Sequence, residues 1–141
     1  MINKIKVITI GKIKERYLIE GINEFKKRLQ RFCNMEIVEL KDLGLEKEAE
    51  KILPYIKSKT FVLDAKGKSF SSEEFAELLK KEEGEIAFVI GGPEGISEKI
   101  KRNANLISLS KMTFLHEMAR LILLEQIYRA YTIIHRMPYH K

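Results

Sequence analysis

Residues Phe88-Val89-Ile90-Gly91-Gly92-Pro93-Glu94-Gly95 pass from an apolar run into a turn that contains three glycines. Such a run is typical of a strand buried on both faces, and glycines let a ligand approach the main chain closely. A second short apolar run, at 106–109, ends in the small and polar residues of 110–113. Neighbouring strands of an open α/β sheet form a ligand crevice at their carboxyl ends. The two strand ends therefore predict a pocket for a nucleotide-like cofactor.

Strand-like and helix-like patterns alternate along the whole chain. Runs rich in β-branched and aromatic residues predict strands at 4–10, 35–40, 60–64, 85–90 and 106–109. Apolar residues at helical spacing predict helices at 15–32, 43–53, 71–84, 97–100 and 115–134. Ser71 and Glu74 have the spacing of a capping box, and Pro54 is expected to end or kink the second helix. The alternation predicts a single-domain α/β protein over residues 1–141, with a parallel sheet and helices on both faces.

Composition limits the class of protein. The chain has 141 residues, of which 45% are apolar and 33% charged, and a net charge of +6. The length and composition suit one globular domain. The positive charge favours an anionic partner, most often nucleic acid, and simple solubility is the alternative explanation of the charge. The first predicted helix has the same two interpretations, because its cationic face is either an RNA-facing stripe or a solvated surface. That face carries Lys26, Lys27, Arg28 and Arg31.

Cysteine usage and hydropathy predict a cytoplasmic protein that does not enter a membrane. Cys33 is the one cysteine, so no internal disulfide forms, and its position at the end of a helical pattern favours a small core residue. The amino terminus enters a strand pattern at once and has no signal-peptide character. The most apolar segment, 115–134, contains four charged residues, which argues against a membrane span.

The glycine turn matches no phosphate-binding fingerprint. It has neither the G-x-G-x-x-G spacing of dinucleotide sites nor the G-K-[ST] of a P-loop. Residues 108–114 could surround an adenine with main-chain hydrogen bonds and apolar walls. An ordinary strand-to-helix connection is the alternative for both segments. The three histidines, His116, His135 and His140, have no metal-ligand spacing, so no metal is expected.

The last predicted helix and the tail behind it differ from the rest of the chain. The helix is apolar nearly all round, so both of its sides must be covered, and a second copy of the chain is the simplest cover for the outer side. Glu125 and Arg129 have the i,i+4 spacing of a helix-surface ion pair. The tail at 135–141 is cationic and aromatic: Tyr139 could stack on a base, and His140 titrates near neutrality when unperturbed. A disordered terminus is the alternative.

Four segments together resemble a known family. They are Ile90–Gly95, Leu109–Thr113, Glu125–Ala130 and Pro138–Lys141, and the first strand with Gly11-Lys12 also fits. In this order they resemble the ribosomal RNA large subunit methyltransferase H family, the small SPOUT-class pseudouridine N3-methyltransferases. The resemblance covers the full length. One departure is Leu115, which stands where the family has a proline, and this puts the rigidity of the last helix's start in doubt.

The resemblance implies an α/β fold with a C-terminal trefoil knot and an obligate homodimer whose active site lies at the subunit interface. It implies S-adenosyl-L-methionine as cofactor and, as substrate, N3 of a pseudouridine in a 23S ribosomal RNA stem-loop within the large subunit or whole ribosome. His140 is the candidate general base or RNA-positioning group, and Tyr139 and Arg129 would orient the base or hold phosphate. The implied cofactor-binding residues are Leu63, Gly91, Gly92, Leu109, Ser110, Lys111, Met112, Thr113 and Phe114.

Three other functions stay open at this point. The chain could be a non-enzymatic ribosome-binding or RNA-binding factor that uses the same basic surface without a cofactor. It could be a SPOUT methyltransferase that acts on transfer RNA. A general nucleotide-binding α/β protein is a third possibility, disfavoured by the missing phosphate-loop pattern.

Overall fold

Five parallel strands form the centre of the protein. A computed structural model describes residues 3–57, 59–82 and 84–141. The strands are β1 (Asn3–Ile10), β2 (Cys33–Leu40), β3 (Thr60–Ser69), β4 (Glu85–Ile90) and β5 (Asn105–Ser108). They lie in the order β2-β1-β4-β3-β5, and every neighbouring pair is parallel. The predicted single-domain α/β fold with a parallel sheet is confirmed.

Helices connect the strands and cover both faces of the sheet. They are α1 (Arg16–Leu29), α2 (Leu45–Ile52), α3 (Ser72–Lys81), α4 (Glu98–Arg102) and α5 (His116–Ile134), with a 3-10 turn at Leu53–Tyr55. The predicted capping box is present, because the Ser71 hydroxyl accepts from the Glu74 amide and the Glu74 carboxylate accepts from the Ser71 amide. Pro54 lies in the 3-10 turn that ends α2, as predicted.

Alternation along the central strands places two separate cores on the two faces. On β4, Ile86 and Phe88 pack in a core with residues of α1, α3 and α5. Ala87 and Val89 point to the opposite face, into a core with residues of α2 and α4. Side chains of a strand alternate between faces, so a strand buried on both sides must be apolar at every position. This explains the continuous apolar run before the glycine turn.

Two strand boundaries differ from the sequence predictions by more than one residue. Cys33 was predicted to end the first helix, but it begins β2, where it pairs in register with Asn3 of β1; its expected burial is confirmed. β3 continues past Asp64 to Ser69, although a turn was predicted there. Leu63 and Lys68 both pair with Ile107 of β5, so the intervening residues bulge out of the sheet and return.

Gly67 allows that return. A Cβ added at this position would lie 2.6 Å from the backbone nitrogen of Ile107, so no larger residue fits without moving β5. The bulged segment therefore packs on β5 at backbone contact.

No helix in the described ranges is long and apolar enough to cross a membrane.

Candidate active site

A cavity of about 610 Å³ opens at the carboxyl edge of the sheet, where β3, β4 and β5 end and α5 begins. This volume falls in the range of small-molecule sites. Eight of the nine residues predicted to hold a cofactor line it: Leu63, Gly91, Gly92, Leu109, Ser110, Met112, Thr113 and Phe114. Lys111 is exposed and does not line the cavity. The two strand ends singled out in the sequence therefore meet at one pocket.

The glycine turn forms one wall and is closely packed. Gly95 has φ 82, and its amide donates to the Gly92 carbonyl at 3.0 Å. A Cβ on Gly91 would lie 2.5 Å from the carbonyl oxygen of Gly95, and one on Gly92 would lie 2.9 Å from Cγ2 of the buried Ile10. Side chains are excluded at both positions by the fold itself, which leaves bare main chain facing the cavity.

The loop between β5 and α5 forms the opposite wall and holds its own shape. The Ser108 hydroxyl donates to the Ser110 carbonyl at 2.9 Å, and the Ser110 hydroxyl accepts from the Met112 amide at 3.0 Å. Met112 is 76% exposed and Leu115 is 56% exposed. The rim of the cavity therefore carries apolar side chains that this chain leaves in contact with solvent. Leu115, at the family's proline position, has φ −54, a value that proline also adopts.

Asp64 and Lys101 form an ion pair at the cavity wall that sequence reasoning missed. The carboxylate lies 2.8 Å from the Lys101 ammonium group and also accepts from the Lys66 amide at 2.8 Å. The hydrogen bond from Lys101, reinforced by that backbone amide, holds the pKa of Asp64 below its ordinary value. A polar residue directly after Leu63 at a strand end was a usable signal for Asp64. Lys101 had none, because its partner lies on another element.

The chemistry of the lining residues fits S-adenosyl-L-methionine. Leu63, Ile90, Leu109 and Phe114 offer apolar walls to a purine ring and an aliphatic chain. The glycine turn and the 109–114 loop supply main-chain groups for polar edges. Residues that could hold the cofactor are therefore the eight predicted cavity-lining ones together with Ile90 and Asp64.

The predicted catalytic residues meet in a second cluster, termed here the tail cluster. It comprises Glu73, Glu125, Arg129, Tyr139 and His140. Glu125 accepts from the Tyr139 hydroxyl at 2.7 Å and from Arg129 at 2.8 Å. The Arg129 guanidinium also lies over the Tyr139 ring, 4.9 Å from its centroid. The tail is thus docked on α5, and the predicted Glu125–Arg129 ion pair is confirmed.

Hydrogen bonding assigns the protonation of both tail side chains. Burial, followed by the hydrogen bond to Glu125, raises the pKa of Tyr139 to about 12, so its hydroxyl is a donor at neutral pH. His140 Nδ1 lies 3.0 Å from Arg129 Nη1, and a guanidinium can only donate, so Nδ1 is an acceptor. His140 Nε2 lies 3.1 Å from the Glu73 carboxylate and donates to it. Both imidazole nitrogens are therefore engaged.

The tail cluster and the cavity are separate within one chain. His116, at the start of α5, lines the cavity, whereas Arg129 lies roughly 20 Å further along the same helix at about 1.5 Å per residue. None of the tail residues lines the cavity. In the described part of the chain, no group of three or more histidine, cysteine, aspartate or glutamate side chains is arranged to hold a metal ion.

Comparisons with known proteins agree on one family. Residues 3–140 match the family described as "Predicted SPOUT methyltransferase". Ribosomal RNA large subunit methyltransferase H of Caldicellulosiruptor saccharolyticus is 48% identical over 153 residues, which cover 97% of this chain and 99% of that protein. The protein of the same name from Clostridium botulinum is 45% identical over 157 residues, with 97% and 99% covered.

Solved structures support the fold alone. A "probable methylase family protein" of Haemophilus influenzae superposes with a TM-score of 0.62 at 13% identity, covering 100% of this chain and 72% of that one. A transfer RNA methyltransferase of Aquifex aeolicus superposes with a TM-score of 0.53 at 16% identity, covering 90% and 70%. Fold, cavity and full-length sequence similarity therefore lead to the same conclusion: the chain belongs to the SPOUT methyltransferase family.

Proposed function

We propose that this protein transfers a methyl group from S-adenosyl-L-methionine to ribosomal RNA of the large subunit, in the cytoplasm. The observation that carries this proposal is the cavity between the glycine turn and the 109–114 loop, in a chain of the SPOUT methyltransferase family. The relatives at 48% and 45% identity, aligned over nearly their whole length, are named for the same activity.

Positioning is the main task of the cavity. The bound cofactor supplies an activated methyl group, so alignment of the methyl, its leaving group and the attacking nitrogen dominates the rate. The bare main chain of Gly91 and Gly92 and the apolar wall at Leu109 and Phe114 would hold the cofactor in a single orientation. The placement of the cofactor inside this cavity, at the carboxyl edge of the sheet, would keep water from the reacting atoms.

The acceptor that we propose is N3 of a pseudouridine in a 23S ribosomal RNA stem-loop, reached on the large subunit or the whole ribosome. N3 carries a proton that must leave as the new nitrogen–carbon bond forms, and a positioned base contributes roughly 10²–10⁴-fold to such a step. His140 is the proposed acceptor of that proton. In the free protein the unprotonated nitrogen, Nδ1, accepts from Arg129, so His140 must release Arg129 before it can take up that proton. Arg129, once released, would be free to hold the RNA base or a phosphate.

A homodimer would bring the two halves of this site together. Cavity and tail cluster lie too far apart on α5 to act within one chain, so the tail of one copy would serve the cavity of the other. The outer side of α5, termed here the α5 stripe, consists of Met118, Ile122, Glu125 and Arg129, which are all half-buried in the single chain. Met118 and Ile122, with the exposed Leu115 one turn before Met118, form the apolar part of this stripe that a second copy would cover.

A C-terminal trefoil knot is part of the proposal. Membership of the SPOUT methyltransferase family supports it. The 64–68 bulge packs at backbone contact on β5, just before the 109–114 loop, which brings together segments that such a knot would use.

The test is transfer of labelled methyl from S-adenosyl-L-methionine to ribosomes that lack the modification, with free 23S RNA and transfer RNA in parallel. Label on large subunits or ribosomes, mapped to N3 of a pseudouridine, is the expected result. Label on transfer RNA alone would support methyl transfer from S-adenosyl-L-methionine and refute ribosomal RNA as the substrate. Absence of both label and stoichiometric cofactor binding would refute the enzyme and leave a non-enzymatic ribosome-binding factor.

A further inference from the structure

We propose that a second cavity, between α1, β2 and the loop after β1, is a phosphate-binding site that receives a phosphodiester of the RNA substrate. The cavity has a volume of about 310 Å³. Its charged and polar lining residues come from separate elements: Lys12 after β1, Asn23 and Lys26 on α1, Glu39 on β2 and Arg120 on α5. The RNA source of the phosphate rests on the function proposed above, whereas the anion site itself does not.

Arg120 supplies the first observation. It is 3% exposed, so its guanidinium is removed from bulk solvent. Nη1 lies 2.6 Å from the Glu39 carboxylate, and Nη2 donates to the Gly11 carbonyl at 3.2 Å. Among the described residues, the Nε hydrogen has no acceptor. A buried N–H group without a partner is costly. Because Nε is buried from solvent, an acceptor in the cavity would remove that cost once the Arg120 side chain shifts toward it.

The charge of the lining supplies the second observation. Three cations, Lys12, Lys26 and Arg120, face one carboxylate, Glu39, so the cavity keeps an excess of positive charge. Neither lysine ammonium group has a carboxylate within ion-pair distance in the described ranges, and Glu39 is already engaged by Arg120. An anion with several oxygen acceptors can take one hydrogen bond from Nε and one from each ammonium group. Phosphate has this chemistry.

The position of the cavity leaves it open in the proposed dimer. On α1, Gly21 packs against Leu121 of α5, since a Cβ added there would lie 3.0 Å from a Leu121 methyl carbon. At about 100° per residue, Ile19 and Asn23 lie roughly 200° round the helix from Gly21. Both line the second cavity. On α5, Arg120 also lines this cavity and lies two residues, about 200° round the helix, from Met118 and Ile122 of the α5 stripe, so the cavity opens on the side turned away from that stripe.

The two cavities lie on either side of the start of α5. Ala119 lines the cofactor cavity, and the next residue, Arg120, lines the second one. Both open near the carboxyl edge of the sheet, since Lys12 and Glu39 lie at the ends of β1 and β2. A phosphodiester held here would anchor the RNA strand beside the pocket that receives the reacting base.

The direct test is an NMR titration of the wild-type protein with inorganic phosphate at constant ionic strength, following the Arg120 Nε–H signal and the Lys12 amide. Both signals are expected to shift in a saturable way. A Lys12→Ala, Lys26→Ala double variant should weaken phosphate binding at least tenfold. The matched control, Lys47→Ala, Lys51→Ala, also removes two positive charges, from exposed positions of α2 on the other face of the sheet, and should not change phosphate binding. An Arg120 signal that phosphate leaves unmoved would overturn the site.

A second arm separates an RNA phosphate from a free one. The Lys12→Ala, Lys26→Ala variant should raise the KM for ribosomes at least tenfold and reduce the salt dependence of RNA affinity by about one counterion, with cofactor affinity unchanged. Phosphate binding with an unaltered KM would overturn the RNA assignment. If wild-type protein methylates no RNA, the proposed function fails, while the NMR result still decides the anion site.

Discussion

Glu125 holds the tail cluster together. Its carboxylate accepts from Tyr139, Arg129 and the Gln126 amide, so one side chain connects α5 to the terminal segment. Hydrogen bonds to a charged group contribute about 1.5–3 kcal/mol, which is roughly 10–100-fold in an equilibrium constant. The residue was predicted only as the partner of Arg129. Its contact with Tyr139 gives it a second task, which is to hold the tail in place.

Replacement of Glu125 by Gln is expected to lower methyl transfer roughly 10–100-fold, because the amide removes the charge that holds Tyr139 and Arg129. Cofactor affinity, measured by calorimetry, should stay within about twofold, since Glu125 does not line the cavity. Glu77→Gln is the control, as an exposed glutamate on α3 that is not a member of the tail cluster. An equal loss of cofactor affinity in Glu125→Gln would contradict the separation of the two sites.

Cys33 is expected to be chemically inert in the folded protein. Burial raises the pKa of its thiol to about 11, so little thiolate exists at neutral pH. A thiol reagent at about pH 8 should modify it only at the rate of unfolding, and complete reaction should need denaturant. Fast stoichiometric labelling of the native protein would show that this thiol is accessible and would refute the placement of Cys33 in the core.

At the scale of single elements, the turn after β4 depends on a glycine for steric reasons. Gly91→Ala is expected to lower the free energy of unfolding by about 1–3 kcal/mol, because the new Cβ collides with the Gly95 carbonyl. The wall of the cavity moves with the turn, so cofactor affinity should also fall at least tenfold. Gly44→Ala is the matched control. Gly44 has φ 92° and open space around it, so backbone strain in this variant lowers the stability of the protein and leaves the cavity unchanged. Cofactor affinity equal in both variants would contradict the prediction.

The Asp64–Lys101 ion pair links the bulge of β3 to α4 and should contribute to stability in a pH-dependent way. The folded protein lowers the pKa of Asp64, so this contribution is complete above the ordinary carboxyl value near 3.9 and is lost as the pH falls through the lower folded value. The melting temperature, measured between about pH 2 and 6, should therefore fall less steeply with decreasing pH in Asp64→Asn than in wild type. The same dependence of melting temperature on pH in both proteins would show that the ion pair contributes nothing to stability.

At the scale of the whole molecule, the distance between cavity and tail cluster predicts complementation. Gly91→Ala impairs the cavity, and His140→Ala impairs the tail, so each homodimer should be nearly inactive. When the two variants are unfolded together and refolded, mixed dimers should carry one intact site each. Random pairing then restores about one quarter of wild-type activity. Activity that stays at the level of the separate variants would place the complete site within a single chain.

Local sequence patterns were sufficient to predict most helices and strands of this protein, because each such element can be recognised from a few consecutive residues. The buried run before Gly91, the Ser71 capping box and the arrest of α2 at Pro54 all follow from such patterns. The position of the cavity followed as well, since parallel strands share one carboxyl edge. The apolar last helix, the two strand ends and the positive charge predicted a second copy, a nucleotide-like cofactor and a nucleic-acid partner. Their identities as an obligate homodimer, S-adenosyl-L-methionine and 23S ribosomal RNA came from resemblance and stay proposals.

Contacts between segments distant in the sequence could be identified only in the folded structure. Lys101 gave no sign in the sequence of its pairing with Asp64, nor Arg120 of its burial against Glu39. The extension of β3 across its bulge depends on β5, which lies far along the chain. The separation of the tail cluster from the cavity is set by the length of α5. Local preference determines which elements form, whereas burial, pairing of buried charge and the distances between sites depend on how those elements pack.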